Sequence, residues 1–255
     1  MHNLKANFDK MSDICKQFGK EFTNEQGNIS RCGMFPRFSD LEVVALSLTA
    51  EALSIDSENL LFVKFSTDYK DDFPHLTSRR QYNDRRKYVF DLTASIRRRM
   101  ASSPNEYEGV YCVDSKPVET CRLSRSSRSK AGREDYSKAP SKGYCASQNR
   151  YYYGYKLHKD IQLDLFQTAH IRLEVPYRSN QKDFKPWFKP FRKLRKRVET
   201  VFSQLDDQFL LLRNYAKDVK GIFTCVLAKI ASMTALQYLN KINKIPIGRA
   251  KYALC

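Results

Sequence analysis

In the first hundred residues the apolar side chains recur at helical spacing, and just past Gly109 that period breaks. This change constrains the fold more than any other feature. Leu4, Phe8, Met11, Ile14, Cys15 and Phe18 stand three and four residues apart, which puts them on one face of a first helix. Ser39 and Glu42 fit a capping box, each side chain satisfying a free backbone N–H, ahead of the run Leu41 to Leu53. Ser78 and Gln81 repeat the signal, with Tyr82, Val89, Leu92, Ile96 and Met100 as the apolar positions beyond. Then Val110-Tyr111-Cys112-Val113 forms a short β-prone run that fits a strand buried on both faces and ends at Asp114. The expected class is α/β, with a helical region over 1–105 and a mixed sheet with flanking helices over 106–255.

The second half continues in mixed fashion. Residues 115–150 are poor in apolar side chains and carry Arg122, Arg125, Arg128, Lys130, Arg133, Lys138 and Lys142, so they read as a long basic loop. Tyr151 to His158 reads as a strand, Ile161 to Thr168 as a short helix, and Ile171 to Val175 as a strand covered on one face. Val198, Val201, Phe202, Leu205, Phe209 and Leu212 make an apolar stripe on a helix that also carries Glu199. Arg195, four residues earlier, is placed to pair with Glu199. A last helix spans roughly Val219 to Ile242, with Ile222, Phe223, Val226, Leu227, Ile230, Met233 and Leu239 on one face.

Charge narrows the partners. The 255 residues hold 45 Lys and Arg against 28 Asp and Glu, a net charge of +17. Such an excess favours nucleic acid, since phosphate contacts release counterions and drive association. Two stretches concentrate it. Arg79, Arg80, Arg85, Arg86, Lys87 and Arg97 to Arg99 fill the polar positions after Ser78, as a solvated face or as a helix lying against a phosphate backbone. Residues 178–197 hold nine basic side chains, among them Lys189, Arg192, Lys193, Arg195 and Lys196, with Phe184, Trp187, Phe188 and Phe191 interleaved. Rings there suit stacking on bases or docking on the core.

Other classes are excluded or weakened. No run approaches ~18 apolar residues, so no spanning helix is expected. The first twenty residues lack the apolar core of a secretory signal. Seven scattered cysteines, none in C-x-x-C, read as free thiols of a reducing cytosol. His2, His75, His158 and His170 have no zinc-like spacing. Phosphate-loop, nucleophile-elbow and zinc-protease motifs are absent.

A carboxylate after a buried strand and another late in a basic helix suggest two-metal phosphoryl chemistry. Carboxylates bridge two ions about 3.5–4 Å apart, one activating the attacking oxygen and one stabilising the leaving oxygen. A turn-forming role for Asp114 and an ion pair for Glu199 are the plainer alternatives.

The segments YCVDSKPVETCRLSRSSRSK, GYCASQNRYYYGYKLH, IQLDLFQTAHIRLEVPYR and RKLRKRVETVFSQLDDQF resemble bacterial insertion-sequence transposases of the DDE superfamily. Within it they are most similar to the group numbered nine-eighty-two, and the resemblance runs to the closing AKYALC. It implies a helical N-terminal region, an RNase H-like core, and metal-dependent cleavage and strand transfer of transposon ends. Asp114, in VDS, matches the first catalytic Asp, and Glu199, in KRVET, matches the catalytic Glu. Both would hold Mg²⁺ or Mn²⁺. The implied partners are double-stranded DNA with terminal inverted repeats and a second copy of the chain on DNA. The implied setting is the bacterial cytoplasm at the nucleoid, with no membrane. Arg85, Arg86, Arg122, Arg125, Arg128, Lys130, Lys189, Arg192, Lys193, Arg195 and Lys196 are the expected DNA contacts.

One departure qualifies this. Relatives continue past the YYYGYKLH-like strand into further core strands and a Gly-Asp-Lys-Gly-Tyr-like segment with the second catalytic Asp. Here His158 is followed at once by Lys159-Asp160, sequence that matches the family only beyond that Asp. An internal deletion near 158/159 is therefore expected, removing central strands and a metal ligand. Neither Asp160 nor Asp164 lies in the right context to replace it. The expectation is a defective transposase with weak or absent metal binding. The alternatives are a non-catalytic DNA-binding remnant that occupies transposon ends and, more remotely, an RNA-binding protein.

Overall fold

The computed structural model describes residues 3–102, 115–146, 148–157, 189–213 and 215–254, with the backbone alone for 189–194. The chain divides into two units, Met1–Glu106 with Leu205–Cys255, and Tyr107–Gln204. The C-terminal segment from Leu205 groups with the helical unit.

The helical unit begins where Asn3 caps α1 (Leu4–Gly19) by accepting the Ala6 N–H at 3.0 Å. Leu4, Phe8, Met11, Ile14 and Cys15 are buried along one face, as their spacing dictates. Both capping boxes form, Ser39 with Glu42 at the start of α2 (Asp40–Ala52) and Ser78 with Gln81 at the start of α4 (Arg79–Tyr88). Between them, Ser57 caps α3 (Glu58–Asp68). The stretch after Ser78 is two helices, α4 and α5 (Phe90–Ser102), separated at Val89. Tyr82, Val89, Leu92, Ile96 and Met100 are all buried across that break.

The long helix here called α7 (Val219–Ile242) has the expected bounds. It is buried over more than one face: Ile222, Ala228, Ala231, Met233, Ala235 and Leu236 are inside, while Phe223 is 38% exposed. It is long and apolar enough to cross a membrane, by length and composition alone. Two thirds of its apolar window is buried, and Lys229 and Ser232 on it bond to the neighbouring helices and loop, so it is a core helix of this unit. Ser232 Oγ donates to the Leu48 carbonyl at 2.8 Å, and Gln17 on α1 donates to the Tyr238 hydroxyl at 3.0 Å. Phe8, Phe65 and Phe73 stack edge to face at 4.9 and 4.7 Å.

The second unit contains a three-stranded antiparallel sheet in the order β1 (Lys116–Cys121), β3 (Arg150–Leu157), β2 (Ser141–Cys145). β3 is the strand expected from Tyr151 onward. The loop expected over 115–150 is instead two strands and two short 3-10 turns, Leu123–Arg128 and Tyr136–Lys138. Gly154 lets the strands meet: a Cβ there would lie 2.1 Å from the Val118 carbonyl oxygen. The helix α6 (Lys189–Asp207) passes from this unit into the helical one at Leu205. It stops at Asp207, short of the expected Leu212, and Leu210 adopts a left-handed φ of 51°. Leu205, Phe209 and Leu211 are buried, but Leu212 is 44% exposed, so the stripe does not extend that far. The fold is a mixture of helix and sheet, which agrees with the expected α/β class at that level.

The strand ending at Asp114, the helix over 161–168, the strand over 171–175 and the aromatic-basic run up to Phe188 lie outside the described residues. So do Asp160, Asp164 and the 158/159 junction.

Candidate functional site

Glu199 sits on the exposed side of α6. Its carboxylate is 57% exposed and accepts from Arg195 Nε at 3.1 Å, the i to i+4 pairing its spacing allows. Phe202, one turn on, lies beneath the Lys116 ammonium, 5.6 Å from Nζ to ring centroid. That cation–π contact joins the helix of Glu199 to the strand beginning two residues after Asp114. Asp114 itself is outside the described residues. Among those described, no group of three His, Cys, Asp or Glu side chains converges. Among the described residues Glu199, already held by a guanidinium, supplies one ligand where a divalent ion takes several.

The expected DNA contacts separate into three groups. Arg122, Arg125 and Arg128, on and beside the 3-10 turn, and Lys130 are exposed, and no carboxylate among the described residues pairs with them. Arg195 and Lys196 are exposed on α6, Arg195 engaged with Glu199. The side chains of Lys189, Arg192 and Lys193 lie outside the described residues.

Arg85 and Arg86 form the third group, and they turn inward. Arg85 donates to Asp40 at 2.7 Å and to the Phe38 carbonyl at 2.6 Å, while Arg31 holds the same carboxylate. Arg86 reaches Glu51 at 3.3 Å and Glu58 at 3.1 Å. Both guanidiniums are committed to carboxylates on or beside other helices, so they do not form a solvated face. A cleft of about 540 Å³ lies beside Arg86, lined by Glu51, Glu58, Tyr82, Arg213 and Lys229.

The sheet also carries a tyrosine pair that strand periodicity alone does not reveal. Tyr144 on β2 faces Tyr151 on β3, with ring centroids 5.0 Å apart and planes at 53°. The alternate residues Tyr151, Tyr153 and Tyr155 of YYYGY share one face of the sheet. Tyr155 donates its hydroxyl to the Lys138 carbonyl at 2.8 Å, and burial, with Glu134 and Tyr153 adding, pushes it up to about 12. On the opposite face Tyr152 packs over Gly143, where a Cβ would lie 2.5 Å from its ring.

No protein-family model, curated protein or solved structure matches the chain.

Proposed function

We propose that the chain is a DNA-binding protein of DDE transposase descent, with a truncated RNase H-like core that binds transposon-end DNA without cutting it. The observation that carries this reading is the contact of Lys116 with Phe202. It links the strand following Asp114 to the helix of Glu199, as a shared carboxylate centre requires. The exposed Arg122, Arg125, Arg128 and Lys130 supply positive charge on the same unit. Phosphate contacts of this kind fix a duplex and weaken steeply with salt.

Loss of cutting follows from ligand count. A two-ion centre needs carboxylates that bridge both ions, and the deletion near 158/159 takes one away. Glu199, held by Arg195, then serves as an ion-pair partner, and Mg²⁺ or Mn²⁺ binds weakly or not at all. A protein that occupies the inverted repeats without processing them would compete with an intact transposase.

The test is a mobility-shift and strand-transfer assay with DNA carrying the inverted repeats that flank the coding sequence. Salt-sensitive binding that prefers those ends, without cleavage in Mg²⁺ or Mn²⁺, is expected. It should persist in the Asp114→Ala, Glu199→Ala double variant. Robust cleavage abolished by Asp114→Ala would overturn the inactivity. Absence of binding to any DNA would overturn the reading as a whole.

A further inference from the structure

We propose that the tyrosine face of the three-stranded sheet is a stacking platform for unpaired bases. The nucleic acid bound by this chain is then single-stranded over at least a nucleotide or two. The inference rests on the DNA-binding reading above and specifies the form of the DNA.

Tyr144 and Tyr151 are 49% and 67% exposed, although they are direct cross-strand partners. Their rings lean on one another and leave their outer faces uncovered. The Tyr144 hydroxyl donates to Asn149 Oδ1 at 2.6 Å, which fixes the inner ring from the turn between β2 and β3. Tyr153 follows on the same face, opposite Lys142. The far end of that face is closed: Val118 is buried opposite Tyr155, and Phe202 lies under Lys116. The uncovered rings are therefore confined to the Tyr144–Tyr151 end.

Charge selects the occupant. Residues 115–157 hold ten Lys and Arg against three Asp and Glu. The arrangement suits a polyanion that also presents flat apolar faces. A duplex offers phosphates but keeps its base faces covered by neighbouring pairs. Unpaired nucleotides offer both, and stacking on an aromatic ring tolerates any base.

The test compares a fluorescent twelve-nucleotide oligothymidylate with a twelve-base-pair duplex by anisotropy, on the full chain. Tyr144→Leu with Tyr151→Leu keeps bulk on both strands while removing the rings. We expect oligothymidylate binding to weaken about fivefold or more for each stack lost, with duplex binding within about twofold of the parent. Tyr151→Phe, which keeps the ring, should bind like the parent. Should the double variant fail to fold, photo-crosslinking of a 5-iodouracil oligonucleotide to the parent protein replaces it, and adducts should map to Tyr144 or Tyr151. Adducts elsewhere, equal loss on both ligands, or no loss would overturn the platform while leaving the DNA-binding reading standing. Polyglutamate displacing oligothymidylate as well as unlabelled oligothymidylate does would overturn it in favour of an acidic protein partner. Failure to bind either nucleic acid would remove the DNA-binding reading itself.

Discussion

Lys229 on α7 reaches Glu51 on α2 with Nζ 2.6 Å from Oε2, and their side chains are only 4% and 8% exposed. The same ammonium donates to the Phe209 carbonyl at 2.7 Å, which ties the loop after α6 to the two helices. Glu51 also takes Arg86, so one buried carboxylate answers two cations. Removing Lys229 leaves the Phe209 carbonyl without this donor and Glu51 with half its compensation. Breaking such a pair from one side costs about 3–5 kcal/mol. Lys229→Ala should lower the urea midpoint accordingly, and a change under about 1 kcal/mol would show that the contact contributes little.

Asp40 is the second such point. Its carboxylate is fully buried, accepts the Ile29 N–H at 3.0 Å, and holds both Arg31 and Arg85. Asp40→Ala would strand two guanidiniums and one backbone donor, for a loss again of about 3–5 kcal/mol. The neighbouring Ser39→Ala removes only a cap and should cost about 1 kcal/mol. Thermal unfolding of the two variants side by side separates them. Equal losses would mean that the cap, and not the ion network, holds this end of α2.

These two networks mark what can and cannot be read from the chain. The Ser39–Glu42 and Ser78–Gln81 caps are local in sequence, and their helices start where the residues say. Arg85 and Arg86 looked outward because periodicity records which face is apolar, not which distant carboxylate waits inside. Asp40 and Glu51 are 45 and 35 residues away from them. β1 and β2 were hidden for a related reason. Only Val118 of β1 is buried, and no residue of β2 is, so neither alternates clearly. Pairing with β3 makes them strands. At the candidate site, the Arg195–Glu199 pair was visible as an i to i+4 spacing, whereas the Tyr144–Tyr151 pair depends on a register that exists only once the hairpin folds.

Alkaline pH should unfold the helical unit. Burial pushes the Cys15 thiol up to about 12 from 9.0. Burial likewise raises Tyr82 to about 12 from 10.0, with Glu58 and Glu51 adding and Arg86 opposing. Each is a group whose folded form holds its proton more tightly than the unfolded chain does. The stabilisation is therefore complete below pH 9 for Cys15 and below pH 10 for Tyr82, and is lost as pH rises toward 12. Each contributes a slope of about 1.4 kcal/mol per pH unit inside its window. Cys15→Ser should flatten the loss that begins near pH 9 in a urea-midpoint series. At pH 8 the exposed Cys32 should react with iodoacetamide while Cys15 stays unmodified, as read by peptide mass.

Glu199 provides the sharpest contrast with these buried groups. Its pair with Arg195 is exposed on both sides, so Glu199→Gln should change stability by less than about 0.5 kcal/mol. The substitution removes one negative charge from among the basic side chains of α6 while keeping the helix and its bulk. If the chain holds DNA through its basic side chains, the variant should bind duplex at least as tightly as the parent. Its log–log salt dependence should steepen by up to about one unit for the carboxylate charge removed. Anisotropy titrations from 50 to 200 mM salt measure this. A loss of DNA affinity without a loss of stability would instead mean that the carboxylate itself serves the nucleic acid, as it would if it still helped to hold a cation against the phosphate.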